Sequence, residues 1–430
     1  MSNKTFCTYP WEHLFVNPTG HLRLCCDASE NITKDDGYRH HNMANNDELF
    51  DCWNNDYMVN TRKKMLAGEE VDACRKCYDK EARGLTSKRN PSNYDFYKAL
   101  TEDGKFVKKP GHIELHFGNV CNLACKMCSQ EYSHKIGQEI LKMGDEDPDF
   151  LKWVKIEGGT VNNWTSELDI VYDWFKEPKT KAGIFSYVSK NVNSLTIIGG
   201  EPTAVKEFYE LLDYCSKENT LKDKGICITT NMTNISKKML SWFNEAKEIT
   251  IYGSADGIGE VNDYIRYPSK WQVIEKSLYF YADLIKQSKN NKLVVGPTVQ
   301  SLNIHDMVNF LHYFEKFSKE VELDIDIWRS GVVDGPSICD YRVLPDSYKN
   351  YVADKLRNEM IKLEDDENKS QVLSHIDALQ KNNDKSLPYK KEILKSFIKY
   401  NDSQDRYRKS ITWRQLIPGL EQHIDSFINP

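Results

Sequence analysis

The sequence predicts an α/β protein whose centre is a parallel sheet, with a cysteine-rich segment before it and a helical region after it. Between residues 109 and 335, six short apolar runs alternate with longer segments of helical spacing. Such alternation is typical of a parallel sheet with right-handed crossovers. Paired cysteines lie before this region, and helical patterns rich in Lys, Asp and Asn follow it. We therefore expect domains at 1–108, 109–335 and 336–430.

The six strands are predicted from short runs rich in β-branched and other apolar residues. They lie at 112–118, 194–199, 226–231, 248–255, 292–299 and 322–328. Most of the intervals have helical spacing, as in Trp271, Ile274 and Leu278. Near the C-terminus, SITWRQLIPGLEQHI predicts amphipathic helices that cover an open side of the sheet.

Composition limits the possible partners. The 430 residues can bury a large core, and 28% of them are charged. The 58 Lys and Arg against 64 Asp and Glu leave a net charge of -6, so nucleic acid is a disfavoured partner. The N-terminus lacks an apolar signal segment and no run is long enough to span a membrane, which predicts a cytoplasmic protein. Twelve cysteines in such a protein indicate metal ligands rather than disulfides.

Three of these cysteines form a tight group directly after the first predicted strand. Cys121, Cys125 and Cys128 lie in GNVCNLACKMCSQ, and the next cysteine downstream is Cys215. Three thiolates can hold a 4Fe-4S cluster while leaving one iron without a protein ligand, whereas clusters that only transfer electrons normally have four thiolates. Structural zinc needs four closed ligands, usually in two pairs, so a lone triplet fits zinc poorly. The triplet predicts a cluster with one open iron.

The spacing C-x3-C-x2-C after the apolar strand HIELHF resembles the radical S-adenosylmethionine (SAM) superfamily. The resemblance implies a partial (β/α)6, TIM-like barrel, a 4Fe-4S cluster whose open iron is chelated by SAM, and an electron donor such as flavodoxin or ferredoxin. In the family, reductive cleavage of SAM gives methionine and a 5′-deoxyadenosyl radical that abstracts hydrogen from a substrate. Parallel barrels place their sites at the C-terminal ends of strands.

Further SAM contacts follow from the same resemblance. Gly199, Gly200, Glu201 and Pro202 resemble the GGEP motif that binds the SAM amino group. Glycines let the backbone approach a ligand closely, and a carboxylate pairs with an ammonium.

Two later positions resemble the serine and arginine that contact the SAM ribose and carboxylate. These are Ser254 and Arg266, in IYGSADGIGEVNDYIRYPSKW. Arginine suits a carboxylate because its planar donors can bind both oxygens. The alternative is that Arg266 pairs with Asp263 or Glu260 on a surface loop. Asn231, in TTNMTN, is a further candidate for the ribose.

The N-terminal cysteines form a second pattern: a cysteine, then G-x4-C, then C-x2-C. It resembles the auxiliary-cluster region of SPASM and twitch domains, although in most relatives that module follows the barrel. The resemblance implies a second, auxiliary 4Fe-4S cluster. Its ligands would be Cys7, Cys25, Cys74 and Cys77.

Two features of this pattern leave alternatives open. The longer SPASM pattern has another cysteine where this chain has Glu81, so we expect one auxiliary cluster, as in a twitch domain. Cys26 is adjacent to Cys25 and is an alternative ligand. A structural zinc bound by four cysteines is the alternative to iron and sulfide.

Two features bear on the substrate. His112, Glu114 and His116 give the first predicted strand a polar face, which indicates either substrate contact or a structural hydrogen-bond network. Cys339, in the loop after the last predicted strand, is the candidate catalytic residue, as a hydrogen-atom donor. A buried, inert cysteine is the alternative there.

The expected function is a radical SAM enzyme that abstracts hydrogen from a peptide or small polar substrate. Peptide comes first because many SPASM and twitch enzymes mature peptides. One alternative is an epimerase or dehydrogenase of the same superfamily that acts on a sugar, nucleoside or amino acid. A non-catalytic scaffold that binds a metal cluster is an alternative of another class. The reaction class stays open, because function lies in the cavity rather than in the fold.

Overall fold

A computed structural model describes residues 3–429 except 46–47, 83–86, 102, 149, 151–167, 329–332, 334 and 382–385. The chain folds as two compact units. Unit 1 consists of Met1–Val120, Val171–Thr229 and Ser236–Thr250, and unit 2 of Cys121–Ile170, Thr230–Ile235 and Ile251–Pro430. The division into 1–108, 109–335 and 336–430 stays a prediction.

Strands β1 to β6 follow the order β2-β1-β3-β4-β5-β6, and from the end of β6 the order continues through β7 to β8 in unit 2. Their bounds are β1 His13–Val16, β2 Leu22–Arg23, β3 His112–His116, β4 Ser194–Ile198, β5 Gly225–Thr230, β6 Glu248–Gly253, β7 Lys292–Val295 and β8 Asp326–Ile327. Strand β1 pairs antiparallel with β2 and parallel with β3, and the pairs β3–β4, β4–β5 and β7–β8 are parallel.

All six predicted strands are present as β3 to β8, in the order expected for a partial (β/α)6 barrel, which confirms the α/β class. Strand β7 ends before residue 299 because Pro297 has no N–H to donate to a neighbour. The last strand is only Asp326–Ile327. The sequence did not predict β1 and β2, which place part of the cysteine-rich segment on the sheet of unit 1.

The helices described in unit 1 lie before and between these strands. They are α1 Tyr9–Glu12, α2 Asp56–Ala67, α3 Arg75–Ala82, α4 Tyr94–Leu100, α6 Pro178–Asn191, α7 Lys206–Lys217 and α8 Met239–Glu245. Helix α2 begins where the Asn55 side chain accepts a hydrogen bond from the Met58 N–H, and it ends at Gly68, whose φ is 81°. Helix α6 begins with Pro178, and the Glu177 side chain accepts from the Thr180 N–H.

The helices described in unit 2 include a run that follows β8. They are α5 His134–Glu146, α9 Glu260–Ile265, α10 Trp271–Ile285, α11 Met307–Glu320, α12 Asp346–Glu359, α13 Asp366–Gln380, α14 Leu387–Arg408, α15 Trp413–Leu416 and α16 Leu420–Ile428. Ser386 caps α14, and a capping box of Thr412 and Gln415 begins α15. These elements confirm the helical C-terminal region. Across the described ranges, no helix combines the length and apolarity needed to cross a membrane.

The sheet of unit 1 has an apolar face and a polar face. Leu195 and Ile197 of β4 are fully buried, while Thr196 between them is half-buried. The strand register places Glu114, Thr196 and Cys227 opposite one another on neighbouring strands. Because successive side chains alternate between faces, one face forms the core and the other collects polar groups.

Candidate functional site

The predicted cluster ligands follow β3 in a loop that begins unit 2. Cys121 and Cys125 are buried and form one small cluster with Leu123, against which Met127 and Cys128 pack. The Cys128 N–H donates to the Cys125 carbonyl over 3.1 Å, and the Leu123 N–H donates to the Cys121 sulfur over 3.4 Å. The loop therefore brings its three cysteines into one packed group.

Burial strongly disfavours ionisation of the Cys125 and Cys128 thiols. It raises the pKa of Cys125 to about 12, with the charge of Cys121 adding to it and Arg266 opposing it. Burial also raises the pKa of Cys128 well above its usual value, and the other two cysteines add to that effect. Three mutually repelling thiolates in one buried place need a cation. An iron–sulfur cluster supplies that charge, so the donor set fits the predicted group.

Within the described ranges, no three His, Cys, Asp or Glu side chains form a group that could hold a single metal ion.

The Gly199–Gly200 turn lies in unit 1, where β4 ends, and packs against backbone. Gly199 has a φ of 144°, a conformation that side chains disfavour. A Cβ on Gly200 would lie 2.2 Å from the Val120 carbonyl oxygen. The Gly200 N–H donates to the Gly118 carbonyl over 3.1 Å, and the Glu201 N–H donates to the Val120 carbonyl over 2.8 Å. The two glycines thus permit a close approach between this turn and the segment after β3.

Glu201 and Pro202 are buried next to this turn. One carboxylate oxygen of Glu201 accepts hydrogen bonds from the Thr203 N–H at 3.1 Å and from its hydroxyl at 2.7 Å. The side chain therefore caps the short turn Pro202–Ala204. This fixes a buried carboxylate at the C-terminal end of β4.

Arg266 lies in unit 2 and is 7% exposed. Its Nε is 2.7 Å from Oδ2 of Asp256, and it pairs with neither Asp263 nor Glu260 in the described contacts. Burial by itself lowers the pKa of Arg266, yet that pKa is raised overall because Asp256, Cys125 and the neighbouring Cys128 favour the charged form. A permanent buried cation thus lies near the thiols of the cluster loop.

Asp256 is itself held in place by backbone and side-chain donors. It is 2% exposed, and its Oδ1 accepts from the Thr298 N–H over 2.6 Å. The Asn303 side chain donates to the Asp256 carbonyl over 2.8 Å. Asn303 is therefore structural, and Asp256 orients Arg266.

Asn231 lies beside the cluster loop in unit 2. Its Nδ2 is 4.0 Å from the Cys121 sulfur and donates to Oδ1 of Asn122 over 2.8 Å, while its Oδ1 accepts from the Thr233 hydroxyl over 2.6 Å. Ser254 follows β6, and its N–H donates to the Thr230 carbonyl over 2.9 Å. The structure thus places Asn231 next to a predicted ligand.

Cys339 lies in unit 2 on the short turn Ser337–Cys339 and is 2% exposed. Its carbonyl accepts from the Ser301 N–H over 2.8 Å. A hydrogen-atom donor needs access to the substrate. The burial of Cys339 is instead typical of an inert cysteine, the alternative that the sequence left open. The catalytic assignment of Cys339 stays a prediction.

The four predicted N-terminal ligands line one cavity in unit 1. They come from the segment before α1, the segment after β2, the turn before α3, and α3 itself. The cavity is lined by Cys7, Cys25, Cys74 and Cys77 together with Tyr9, Pro10, Leu24, Asp27, Ala28, Met65, Ala73, Lys88 and Arg89. Burial raises the pKa of Cys74 to about 12, and the charges of Cys7 and Cys77 add to it. Four thiols around one cavity fit a closed four-thiolate site.

The two adjacent cysteines have different surroundings. Cys25 lines the cavity, whereas Cys26 is absent from its lining. The Lys88 ammonium instead donates to the Cys26 sulfur over 2.7 Å. Burial raises the pKa of Cys26 to about 11 even beside that ammonium. Cys25 is thus the better placed of the two for a ligand role.

Charged and hydrogen-bonding groups surround the same cavity. Arg89 lines it, binds Glu81 with Nε at 2.9 Å from Oε1, and donates to the Phe6 carbonyl over 2.8 Å. The Asn90 N–H lies 3.4 Å from the Cys7 sulfur and donates to it. Glu81, which stands where the longer pattern has a cysteine, therefore anchors an arginine beside the four thiols.

The polar face of β3 forms a buried network in unit 1. Glu114 is 7% exposed, with His13 Nε2 at 3.6 Å and His116 Nε2 at 3.4 Å from its oxygens. Burial raises the pKa of Glu114, but these two histidines outweigh it and hold that pKa below its usual range. His112 contacts the Thr196 hydroxyl at 3.1 Å. This network includes His13 from β1, which the sequence did not indicate.

Sequence reasoning also missed the charged partners of the predicted residues. Asp256 comes two residues after the predicted Ser254, so the motif S-A-D at a strand end was the available signal. Lys88 and Arg89 lie in the polar stretch SKRNPSNYD, whose composition favours a linker or surface loop. Only the folded chain brings these two residues to the cavity lined by the four cysteines.

Two family models match the sequence. One, for the radical SAM superfamily, matches residues 115–311. The other, for the SPASM iron–sulfur cluster-binding domain, matches residues 7–78. Among curated proteins, none matches this chain.

Solved structures give distant matches. Streptococcus suis SuiB bound to S-adenosylmethionine is 13% identical, with 69% of this chain and 62% of that chain covered at a TM-score of 0.33. SuiB bound to its precursor peptide SuiA is 14% identical, with coverage of 64% and 66% and a TM-score of 0.29. The anSMEcpe structure with bound AdoMet is 18% identical, with coverage of 57% and 58% and a TM-score of 0.33. The chain thus spans about three fifths of the length of most of these proteins. By these two family models, the chain contains a radical SAM superfamily region at residues 115–311 and an iron–sulfur cluster-binding SPASM domain at residues 7–78.

Proposed function

We propose that the chain is a radical SAM enzyme whose open 4Fe-4S cluster is held by Cys121, Cys125 and Cys128. The observation that carries the proposal is the packing of these three thiols, those of Cys121 and Cys125 buried, near the permanent cation of Arg266. The three thiolates would hold the cluster, which with one electron from a reductant would supply reductive cleavage of bound SAM to methionine and a 5′-deoxyadenosyl radical, and hydrogen transfer from the substrate would convert that radical to 5′-deoxyadenosine.

The predicted SAM contacts have separate proposed roles. The Gly199–Gly200 turn leaves room for the ligand, and the carboxylate of Glu201 binds its ammonium. Arg266, oriented by Asp256, binds the SAM carboxylate. Ser254 contacts the ribose.

Three further residues have proposed roles in SAM binding or in the reaction. Pro202 fixes the turn that carries the ammonium-binding carboxylate. Asn231, whose Nδ2 lies 4.0 Å from the Cys121 sulfur, is a further proposed contact of the SAM ribose. Cys339 is retained as the candidate hydrogen-atom donor only for an epimerase reaction.

We propose that Cys7, Cys25, Cys74 and Cys77 hold one auxiliary 4Fe-4S cluster within a domain of residues 1–108, ahead of a barrel at 109–335 and a helical region at 336–430. A cluster closed by these four thiolates would supply an acceptor for one electron. Arg89 and Lys88 support this role, since positive charge near a cluster stabilises its reduced state.

The substrate we propose is a peptide, because SPASM and twitch enzymes commonly mature peptides. A small polar metabolite is the alternative. In either case the first electron comes from a small reductant protein of the flavodoxin or ferredoxin class.

Metal and sulfide analysis tests the two-cluster proposal. Anaerobic reconstitution should load about eight irons per chain. Replacing Cys121, Cys125 and Cys128 by Ala should remove about half of the iron and abolish SAM cleavage, while the change of Cys74 and Cys77 to Ala should remove the other half. Zinc in the chain as isolated, displaced only with loss of the N-terminal cysteines, would refute the auxiliary cluster.

A further inference from the structure

The cluster loop is attached through its backbone on both sides of Cys125. The Ala124 N–H donates to the Tyr267 carbonyl over 2.7 Å, and the Lys126 N–H donates to the Ile265 carbonyl over 2.9 Å. These bonds connect the loop to the segment that carries Arg266. The position of Cys125 therefore depends on the residues next to it.

Helix α14 contacts the same short stretch from far along the chain. The Arg408 Nη2 donates to the Ala124 carbonyl over 2.5 Å, and its guanidinium also binds Glu139 of α5 at 2.8 to 3.1 Å. Gln404 donates to the same carboxylate over 2.8 Å. The Arg408 and Glu139 side chains are 1% and 5% exposed. This arginine thus binds the main chain directly before a predicted ligand.

Lys126 makes the second connection to α14. Its ammonium is 3.0 Å from the Tyr264 hydroxyl and 3.0 Å from Oδ1 of Asn401, and 3.7 Å from Oδ1 of Asp405. The Tyr264 hydroxyl donates to Asp405 over 2.8 Å. The Lys126 side chain is 1% exposed. Both neighbours of Cys125 are therefore bound, through buried polar groups, to one helix.

Stability alone gives little reason for this arrangement. Buried ion pairs often contribute no more than apolar side chains of similar volume, because removing charges from water is costly. Their directional bonds can instead fix one position. Some groups do not bind the metal but hydrogen-bond to its ligands and orient them. Mutating such groups typically changes metal affinity by about 10- to 100-fold.

We propose that α14 is part of the cluster site, with Arg408 and Lys126 as positioning residues that hold Cys125 in place relative to Arg266. The family model matched to the barrel ends at residue 311, before this helix begins. The inference rests on the proposed function, since it requires a cluster at Cys121, Cys125 and Cys128. The inference adds helix α14, which follows the matched barrel region, to the elements that retain the cluster.

The test compares Arg408→Gln with Arg408→Lys and with Arg406→Gln in the full-length, reconstituted chain. Arg406 lies on the same helix but is exposed, so it is a matched control. The first readout is the rate of iron loss to a chelator under anaerobic conditions. The second is the electron paramagnetic resonance (EPR) spectrum of the reduced cluster with and without SAM.

We expect Arg408→Gln to lose iron from the SAM-responsive cluster about 10- to 100-fold faster and to alter its spectrum. Arg408→Lys should restore part of the retention, since lysine keeps the charge but not the two-pronged geometry. Arg406→Gln should behave as wild type. An Arg408→Gln protein that keeps its iron at the wild-type rate, with an unchanged spectrum, would overturn the inference.

A second variant decides the question if Arg408→Gln does not fold. The double change Lys126→Met with Asp405→Asn removes a buried charge pair without leaving one charge unpaired. It should likewise hasten iron loss and alter the spectrum, and wild-type behaviour would overturn the inference. A wild-type chain that shows no SAM-responsive spectrum would instead refute the proposed function itself.

Discussion

At the scale of single residues, the sequence indicated the cysteines because cluster ligands are restricted to one side-chain type at short spacings. It did not indicate Asp256 as the partner of Arg266, since a charged residue has many possible partners before folding selects one. It also left Cys25 and Cys26 as alternatives. Only the three-dimensional arrangement separates them, because adjacent side chains point in different directions.

The two adjacent cysteines give a matched pair of variants. Cys25→Ser should remove the iron of the N-terminal site, because the Cys25 thiol lines the four-cysteine cavity. Cys26→Ser should keep that iron, because the Cys26 thiol binds Lys88 instead. Iron and sulfide counts on both reconstituted proteins check this. Equal iron loss in the two variants would show that the assignment of ligands is wrong.

Arg266→Lys should weaken SAM binding while leaving the iron content unchanged. Lysine keeps the charge beside Asp256 but cannot bind both carboxylate oxygens in the arginine geometry. Losing one charged hydrogen bond costs about 1.5 to 3 kcal/mol, or roughly 10- to 100-fold in SAM affinity. A titration of the EPR spectrum with SAM measures it. Unchanged affinity at full iron loading would remove Arg266 from the SAM site.

At the scale of elements, the six strands β3 to β8 were predictable because apolar runs and helical segments alternate clearly. Strands β1 and β2 were not, since four and two residues carry too little periodicity to stand out. Strand β1 pairs with β3, a partner about a hundred residues away, and β2 pairs only with β1 in the described ladders. The Gly199–Gly200 turn was predictable as a motif, but the backbone it approaches was not.

Gly200→Ala should destabilise the protein, because the new methyl group would lie 2.2 Å from the Val120 carbonyl oxygen. We expect a loss of about 1 to 3 kcal/mol in the free energy of unfolding. Gly183→Ala is the control: Gly183 lies on α6 with open space around its Cβ position, so alanine should be neutral or stabilising. Denaturant unfolding of both variants measures this. Equal stability would mean that the turn does not approach the backbone closely.

At the scale of the whole molecule, the sequence predicted the α/β class and the helical C-terminal region, because both depend on local periodicity. It could not predict which distant groups become buried. Helix α14 illustrates this: its sequence is rich in charged residues, yet the Arg408 side chain is enclosed because it binds Glu139 of α5. Burial of such groups is decided by contacts between residues far apart in the chain.

Burial of histidine should make stability depend on pH. Burial lowers the pKa of His375 to about 4, and its Nδ1 lies 2.8 Å from the Tyr341 hydroxyl. The unfolded chain binds the proton near pH 6.5 while the native state does not, so stability is lost as pH falls from about 6.5 toward 4. The free energy of unfolding should fall by about 3 kcal/mol once the pH is below both pKa values, and by about 2 kcal/mol by pH 5.

The measurement is the change in unfolding free energy between pH 7 and pH 5. His375→Asn should reduce that change, whatever its effect at pH 7, while His423→Asn, at a partly exposed position on α16, should leave it as in wild type. An unaltered pH dependence in His375→Asn would contradict the burial of a neutral histidine.

The central claim is that Cys121, Cys125 and Cys128 hold a cluster whose open iron binds SAM. The most direct measurement is the formation of 5′-deoxyadenosine when the anaerobically reconstituted chain is mixed with dithionite and SAM. We expect the nucleoside to form with wild type and to be absent when the three cysteines are changed to Ala. No 5′-deoxyadenosine from wild type with a fully loaded cluster would contradict the account.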